Sequence, residues 1–567
     1  MPVAVAGIGP GWVGRGKILF MSSEIELKFR IPAARLAALR RAVATRGAQV
    51  QPLVAVYFDT PGELLARARV ALRLRREGDT WVQTLKAEGA SAMHRLEHNV
   101  VVAGKRQPGL DLSRHDGSVA GRALRAVLAG ARDEPLLLRY ATEVQRTRRL
   151  LRAGDARIEL ALDEGHITAG RRSLPICELE LELLAGTPQA LLDVAGRWVD
   201  RFGLVLDVRS KSERGHRLAA GVLASPPTKA RPLRLPADAT PAQALAAMLA
   251  HALGQVLANA SQMADPDLAE VVAAEPEYLH QLRVGLRRLR SLLRVYGALA
   301  PPADAALAPA LATLFGQLGA ARDQDAMAEW LWPALRQADA PWVPEIELGS
   351  GSVSGAGAGT GVAISAGLDI AALLRTPATQ RVWLSALAAC QPPAGQAAAV
   401  PAESAAPAAP SASSAPTAPT APTAPPTPPT PPWQPELPLR EAVRSPLQQL
   451  MRQVKRDAAC FSTLDDDARH QLRRRIKRLR YAADAAASLW PAKSVAATLR
   501  ALTRAQEPLG IYNDTVVALD LFRTLAAQDG RAWFVVGWLT ARREALQAPC
   551  AKALARLSRV RGFWQRR

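Results

Sequence analysis

From residue 21 to about 218, apolar and polar side chains alternate at period two in short runs: EIELKFR (24–30), VAVYFDT (54–60), VALRLRRE (70–77), TWVQTLKAE (80–88), RLEHNVVV (95–102), ARIELALDEG (156–165) and ICELELELL (176–184). That period predicts an antiparallel sheet or barrel. Two helical patterns interrupt it, PAARLAALRRAVATRG (32–47) and TPQALLDVAGRWVDRFG (187–203), each opening near Pro and closing at Gly. A Pro/Ala/Ser stretch at 219–236 reads as a hinge. Beyond it the apolar residues recur at spacings of three and four, which predicts an all-helical second half.

The helical half is itself patterned. HQLRVGLRRLR (280–290) and HQLRRRIKRLR (470–480) repeat at an offset of 190 without a gap, and LGAARDQDA from Leu318 is echoed by LGIYNDTVV from Leu509. Two copies of a helical unit, 237–336 and 436–567, are therefore expected as a quasi-symmetric bundle. The stretch 337–435 between them reads as a low-complexity insert. It holds GSGSVSGAGAGTG (349–361) and a tract ending APTAPTAPPTPPTPPWQP, segments too poor in apolar area to offset the entropy of ordering. Residues 1–20 read as a poorly ordered extension, or an early start, ahead of Met21.

The length of 567 residues exceeds one ordinary core, in keeping with this division. A formal net charge of +21 points to a polyanionic partner, and an aromatic content of 5% favours phosphate contact over base stacking. Nucleic acid is expected only as a non-specific partner. The four cysteines, Cys177, Cys390, Cys460 and Cys550, form no CxxC pair, so neither a zinc ribbon nor a disulfide framework is indicated and a cytoplasmic location is expected. No secretion-type basic leader or membrane span is read.

Within the strands the polar rows are ionic. Glu24, Glu26 and Lys28 share one face of their run; Glu178, Glu180 and Glu182 share another; Arg73 and Arg75 form a basic pair, and Arg95 and Glu97 a mixed one. Such rows are ordinarily the solvated outside of a sheet. Here the opposite faces are apolar and supply a core, while the rows contain almost no Ser, Thr or Gln. Like charges at strand spacing repel unless countered. A closed sheet would turn them inward, where carboxylates hold a hard cation and bases meet phosphate oxygens.

The pattern Glu24-x-Glu26-x-Lys28 closely resembles the ExExK signature of the CYTH family of triphosphate tunnel metalloenzymes. The resemblance extends in family order through YFDTP (57–61), ALRLRRE (71–77), WVQTLK (81–86), RLEHNV (95–100), ELALDEG (159–165), ELELE (178–182) and SKSERG (210–215). It implies an α+β domain built on an eight-stranded antiparallel tunnel. It also implies Mg²⁺ or Mn²⁺ held by Glu24, Glu26, Glu97, Asp163, Glu178, Glu180 and Glu182, and phosphate held by Lys28, Arg73, Arg75, Lys86, Arg95, Arg146 and Lys211.

In the helical half, His280, Arg283, Arg287, Arg290 and Arg294 step by three and four along one helix face, and His470, Arg473, Lys477 and Arg480 repeat the stripe. Like charges at this spacing disfavour an isolated helix, so their duplication with hardly an acid alongside points to an anion. These segments resemble the CHAD family of conserved-histidine α-helical domains, which implies two four-helix units and a groove for inorganic polyphosphate.

The two resemblances together imply metal-dependent hydrolysis of inorganic triphosphate to pyrophosphate and phosphate, beside a polyphosphate-binding module able to associate with polyphosphate granules. The alternatives are an adenylate cyclase or thiamine triphosphatase of the CYTH class, or a non-catalytic adaptor for polyphosphate granules.

Overall fold

The computed structural model describes residues 22–89, 91–130, 134–301, 304–340, 369–392 and 437–565, with backbone alone at 22–23 and 320–329. The reading of 1–20 as an extension lies outside these residues, as do the Gly/Ser and Pro/Ala/Thr tracts.

Nine strands form one antiparallel sheet: β1 (Ser22–Arg30), β2 (Gln49–Asp59), β3 (Ala71–Glu77), β4 (Thr80–Glu88), β5 (His94–Val102), β6 (Leu137–Ala153), β7 (Ala156–Ala169), β8 (Arg172–Ala185) and β9 (Val205–Leu206). Their order, β5-β4-β3-β2-β6-β7-β8-β1-β9, closes into an eight-stranded barrel because β1 also pairs with β5. Residues 22–25 of β1 meet β5, residues 26–30 meet β8, and the short β9 joins the same edge at Phe29 and Arg30. Seven of the eight barrel strands coincide with the alternating runs. The eighth, β6, carries no such signal: Glu143 and Gln145 are exposed on one face and Arg146 and Arg148 lie on the other, so neither reads as apolar.

The barrel is apolar outside and ionic inside. Ile25, Leu27, Phe29, Leu179 and Leu181 pack in the core shared with helix Pro188–Phe202 and the helical domain. That helix is fixed by Thr187, whose side chain accepts from the Ala190 amide, and stops at Gly203 in the left-handed region (φ 63°). Helix Lys211–Ala220, capped by Ser210, plugs one end of the barrel. A Cβ at Gly215 would lie 2.3 Å from the Tyr140 ring, so only glycine permits this approach.

The segment 219–236 departs from the expected hinge. It is irregular but pinned: the Thr228 amide donates to Asn259 (3.0 Å), the Leu235 amide donates to Ser488 (2.9 Å), and Ala224 and Leu235 are buried. The low-complexity reading of 337–435 is corrected within 369–392. There, helices Ile370–Arg375 and Pro377–Ala389 bury Leu374, Trp383, Leu384 and Leu387 in the core. A stretch of 24 residues with good helical periodicity was masked by the composition on both sides.

The helical half contains long helices Pro241–Met263, Glu277–Tyr296 and Leu307–Gln337, then Leu439–Ala459, Asp466–Ala485 and Ala492–Ala526, followed by Ala532–Ala545 and Gln547–Ser558. With Pro377–Ala389 the first unit has its fourth helix. The two stripe-bearing helices are joined where Tyr296 donates to the Ala482 carbonyl (3.0 Å) and Arg288 pairs with Asp484 (3.0 Å). Among the described residues one helix, Pro241–Met263, is long and apolar enough to cross a membrane; 72% of its apolar window is buried inside the fold.

Candidate active site and phosphate groove

The strand rows meet inside the barrel in two ionic clusters. In the first, Lys86 bridges Glu24 (2.8 Å) and Glu97 (2.6 Å), joining β1, β4 and β5, and Arg95 lies 3.7 Å from Glu26. Burial raises the Glu24 carboxyl well above its usual range against the pull of Lys86, aided by its hydrogen bond to Glu97 and by repulsion from Glu26 and Glu97. Burial would also raise Glu97, but Lys86, the bond from Glu24 and Arg73 hold it well below. The two neighbouring carboxyls are thus driven in opposite directions. Burial, opposed by Lys86 and reinforced by Glu159, Glu97 and Glu26, pushes Glu182 up to about 7.

The second cluster is built from β6, β7, β8 and the plug helix. Arg146 donates twice to Asp163 (2.7 Å each) and also pairs with Glu180. Lys211 reaches Asp163 (2.7 Å), Glu180 (2.8 Å) and Glu178, and Arg214 pairs with Glu178. One oxygen from each of Asp163, Glu178 and Glu180 falls within a 4.8 Å span. Burial alone would raise Glu178 and Glu180; the surrounding Lys211, Arg214, Arg146 and Lys28 hold both below the usual range. Lys28 donates to the Arg209 carbonyl, and burial lowers its ammonium despite Glu178 and Asp207.

Farther round the wall, Arg73 donates to the Tyr57 hydroxyl (3.1 Å) and Arg75 pairs with Glu77. The lumen side chains Glu24, Glu26, Arg75, Lys86, Arg95, Arg146, Glu180 and Lys211 are only 12–26% exposed. Charges at that burial are costly unless countered, and they are countered unequally. The second cluster sets three carboxylates against Arg146, Lys211, Arg214 and Lys28; the first sets Glu24, Glu26, Glu97, Glu159 and Glu182 chiefly against Lys86 and Arg95. The deficit of positive charge lies at the first cluster.

In the helical half the two stripes face one another. Arg283, Arg287 and Arg290 place their guanidiniums 4.9, 5.5 and 5.0 Å from the centre of the Phe315 ring, which holds them by cation–π attraction. Lys477 sits among Arg287, Arg473 and Arg480, and burial together with those charges pushes it down to about 6 against Asp514. Burial and the neighbours Arg294, Arg474, Arg475 and Arg290 lower Arg478 to about 10. Residues of the second LG motif order this face: Asn513 Oδ1 accepts from the His470 ring, and Asp514 lies 3.6 Å from Arg473.

Residues 22–211 match the CYTH domain family, and residues 247–523 match the CHAD domain family. The chain is a CYTH domain followed by a CHAD domain. A relative from Haemophilus influenzae, an inorganic triphosphatase, is 30% identical over 167 residues, which are 29% of this chain and 45% of the relative. The chain therefore spans less than half of that relative. Among solved structures, the CHAD domain from the plant Ricinus communis is 25% identical, with a TM-score of 0.39, covering 59% of this chain and 98% of the other. An adenylyl cyclase candidate from Hippeastrum with a dominant triphosphatase activity is 19% identical, with a TM-score of 0.25, covering 35% and 97%.

The CYTH barrel gathers all the tunnel residues expected from the sequence: Glu24, Glu26, Lys28, Arg73, Arg75, Lys86, Arg95, Glu97, Arg146, Asp163, Glu178, Glu180, Glu182 and Lys211. It divides the Glu178–Glu182 row, with Glu178 and Glu180 at the plug helix and Glu182 toward Glu24. Sequence reasoning missed Glu159, Arg214, Tyr57 and, in the CHAD domain, Phe315. Two of these had a signal: Glu159 shares the parity of Asp163 in ARIELALDEG, and Arg214 follows Lys211 by one helical turn in SKSERG. In the CHAD domain the structure brings Arg287, Arg290 and Arg294 to Lys477, Arg474 and Arg478. His280 sits on the same helix, one turn before Arg283. The side chains of the first LG motif beyond Gly319 lie outside those described.

Proposed function

We propose that the CYTH domain hydrolyses inorganic triphosphate to pyrophosphate and phosphate, and that the CHAD domain binds inorganic polyphosphate. One observation carries the reading: a closed barrel whose lumen holds alternating carboxylate and basic rows, a lining suited to a short, highly charged phosphate chain and a hard cation. The triphosphatase relative supports the same substrate class.

The donor set fits Mg²⁺ or Mn²⁺. Glu24, Glu26, Glu97 and Glu182 would hold the ion, because raised carboxyls, as at Glu24 and Glu182, are what crowded carboxylates show where positive charge is missing. Asp163, Glu178 and Glu180 form a second oxygen set already neutralised by bases. When bound, the ion supplies charge neutralisation on the phosphate oxygens and polarises the bond to be cleaved. Lys28, Arg73, Arg75, Lys86, Arg95, Arg146 and Lys211 bind and orient the triphosphate, with Arg75, Lys86, Arg95, Arg146 and Lys211 exchanging carboxylate partners for phosphate oxygens, and spread charge from the transferring group. The plug helix excludes bulk water from one end.

In the CHAD domain, an excess of arginine held together by Phe315 with few acids presents fork-like donors to successive phosphates. A cytoplasmic location, with association to polyphosphate granules through the CHAD groove, completes the reading.

The test is phosphate release from tripolyphosphate, ATP and thiamine triphosphate with Mg²⁺ or Mn²⁺, comparing wild type with Glu24→Gln. Release from tripolyphosphate that Glu24→Gln abolishes is expected. Cyclisation of ATP, or tripolyphosphate left intact by the wild type, would overturn the reading.

A further inference from the structure

Between helix Pro188–Phe202 and the plug helix, residues 205–210 cross the end of the barrel as a strap. One side of the strap holds tunnel bases. The Asp207 amide donates to the Lys28 carbonyl (2.9 Å), the Lys28 ammonium donates to the Arg209 carbonyl, and Arg95 reaches the Val208 carbonyl (3.5 Å). Two bases expected to grip phosphate thus take their positions from strap carbonyls.

The other side of the strap rests on the CHAD domain. Gln380 accepts from the Leu206 amide (2.8 Å), Ser261 accepts from the Val208 amide (3.2 Å), and Asp265 accepts from Arg209 (2.7 Å). The same Asp265 oxygen accepts from Arg30 (2.6 Å), the residue that continues the Glu24-Glu26-Lys28 row out of the barrel. Its second oxygen accepts from the Asp267 amide (3.0 Å). Arg209 also grips Asp207 through two bonds (2.9 and 2.7 Å). Asp207, Arg209 and Asp265 are 3%, 5% and 4% exposed, so this network is buried and each carboxylate is committed.

We propose that Asp265 of the CHAD domain is a positioning residue for the CYTH tunnel: through Arg209 and Arg30 it fixes the strap whose carbonyls set Lys28 and Arg95. This inference rests on the triphosphatase reading for its substrate. Bases held by main-chain acceptors are preorganised, and preorganisation is felt mainly as affinity. Without Asp265, Arg209 keeps Asp207 but loses its anchor to the second domain, and the carbonyls that receive Lys28 and Arg95 are no longer fixed. Asp265 touches no lumen group beyond the strap, so its loss acts on binding rather than on the bond-breaking step.

The experiment uses the full chain. Tripolyphosphate affinity is measured by calorimetry without divalent metal, and KM and kcat are measured with Mg²⁺, for wild type, Asp265→Asn, Asp265→Glu and Asp267→Asn. Asp265→Asn is expected to weaken affinity and raise KM about tenfold with kcat held within about twofold, Asp265→Glu to restore most of the loss, and the exposed Asp267→Asn to match wild type. Because Asp265→Asn strips a buried partner from two arginines, folding is checked by thermal melting. Gln380→Ala, which releases the strap at its other end, is expected to shift KM the same way by a smaller factor. Folded Asp265→Asn and Gln380→Ala proteins with wild-type affinity and KM would overturn the proposal. A wild type that binds tripolyphosphate but releases no phosphate would instead sink the hydrolase reading, and the affinities would still decide the role of Asp265.

Discussion

Glu24 and Glu178 lie on neighbouring strands and both are carboxylates in the lumen, yet their surroundings drive them in opposite directions. Glu24 shares Lys86 with Glu97 and is raised; Glu178 is flanked by Lys211, Arg214 and Lys28 and is lowered. A divalent cation gains more where negative charge is uncompensated. Glu24→Gln is therefore expected to weaken Mn²⁺ binding by more than about tenfold in a calorimetric titration, and Glu178→Gln by less. At Lys477 the imbalance has the other sign. Burial, the facing Arg287 and the same-helix neighbours Arg473 and Arg480, opposed by Asp514, lower its ammonium to about 6, so at neutral pH it is largely uncharged before an anion binds. A polyanion favours the charged form, so polyphosphate binding should take up protons and weaken as pH rises above about 6. Titrations in buffers of different ionisation heat measure that uptake, and Lys477→Met should abolish it.

Among the secondary elements, the plug helix carries a tight steric constraint. Its Lys211 and Arg214 reach the second ionic cluster only because Gly215 lies against the Tyr140 ring. A methyl there must push the helix out of the barrel end. Gly215→Ala is expected to cost about 1–3 kcal/mol of stability, with a larger fractional loss of tripolyphosphate hydrolysis than of polyphosphate binding; melting curves with the two assays separate these effects. Element identity was legible where one face was apolar, as in β1, β3, β4 and β8. It was not legible in β6, whose faces are both polar, or in Lys211–Ala220, where charged residues dominate a short helix. The helix Pro377–Ala389 was hidden differently, because its own pattern is clear and only its neighbours are low in complexity.

At the scale of the whole molecule, one continuous core runs from the outer face of the barrel into the CHAD domain. Trp383, 2% exposed, lies in helix Pro377–Ala389, which packs on the barrel helix Pro188–Phe202, and Arg381 pairs with Asp200 across the same contact. Domains joined by a shared apolar core should melt together. Calorimetry is expected to give one main transition, and Trp383→Ala, at about 3–5 kcal/mol, to lower it as a whole; two separate transitions in the wild type would contradict the shared core.

Residue order alone determined the two-part division, which side chains share a face in seven of the eight barrel strands, and the twin basic stripes, because periods of 2 and 3.6 fix which side chains share a face. It could not determine which acid meets which base, since Lys86 reaches Glu24 across 62 positions of chain and Arg209 reaches Asp265 across a domain boundary. Those pairings, and the unequal charge balance they leave between the two clusters, arise only when the sheet closes and the helical domain docks on its end: long-range contacts are set by packing, whereas local patterns are set by backbone geometry.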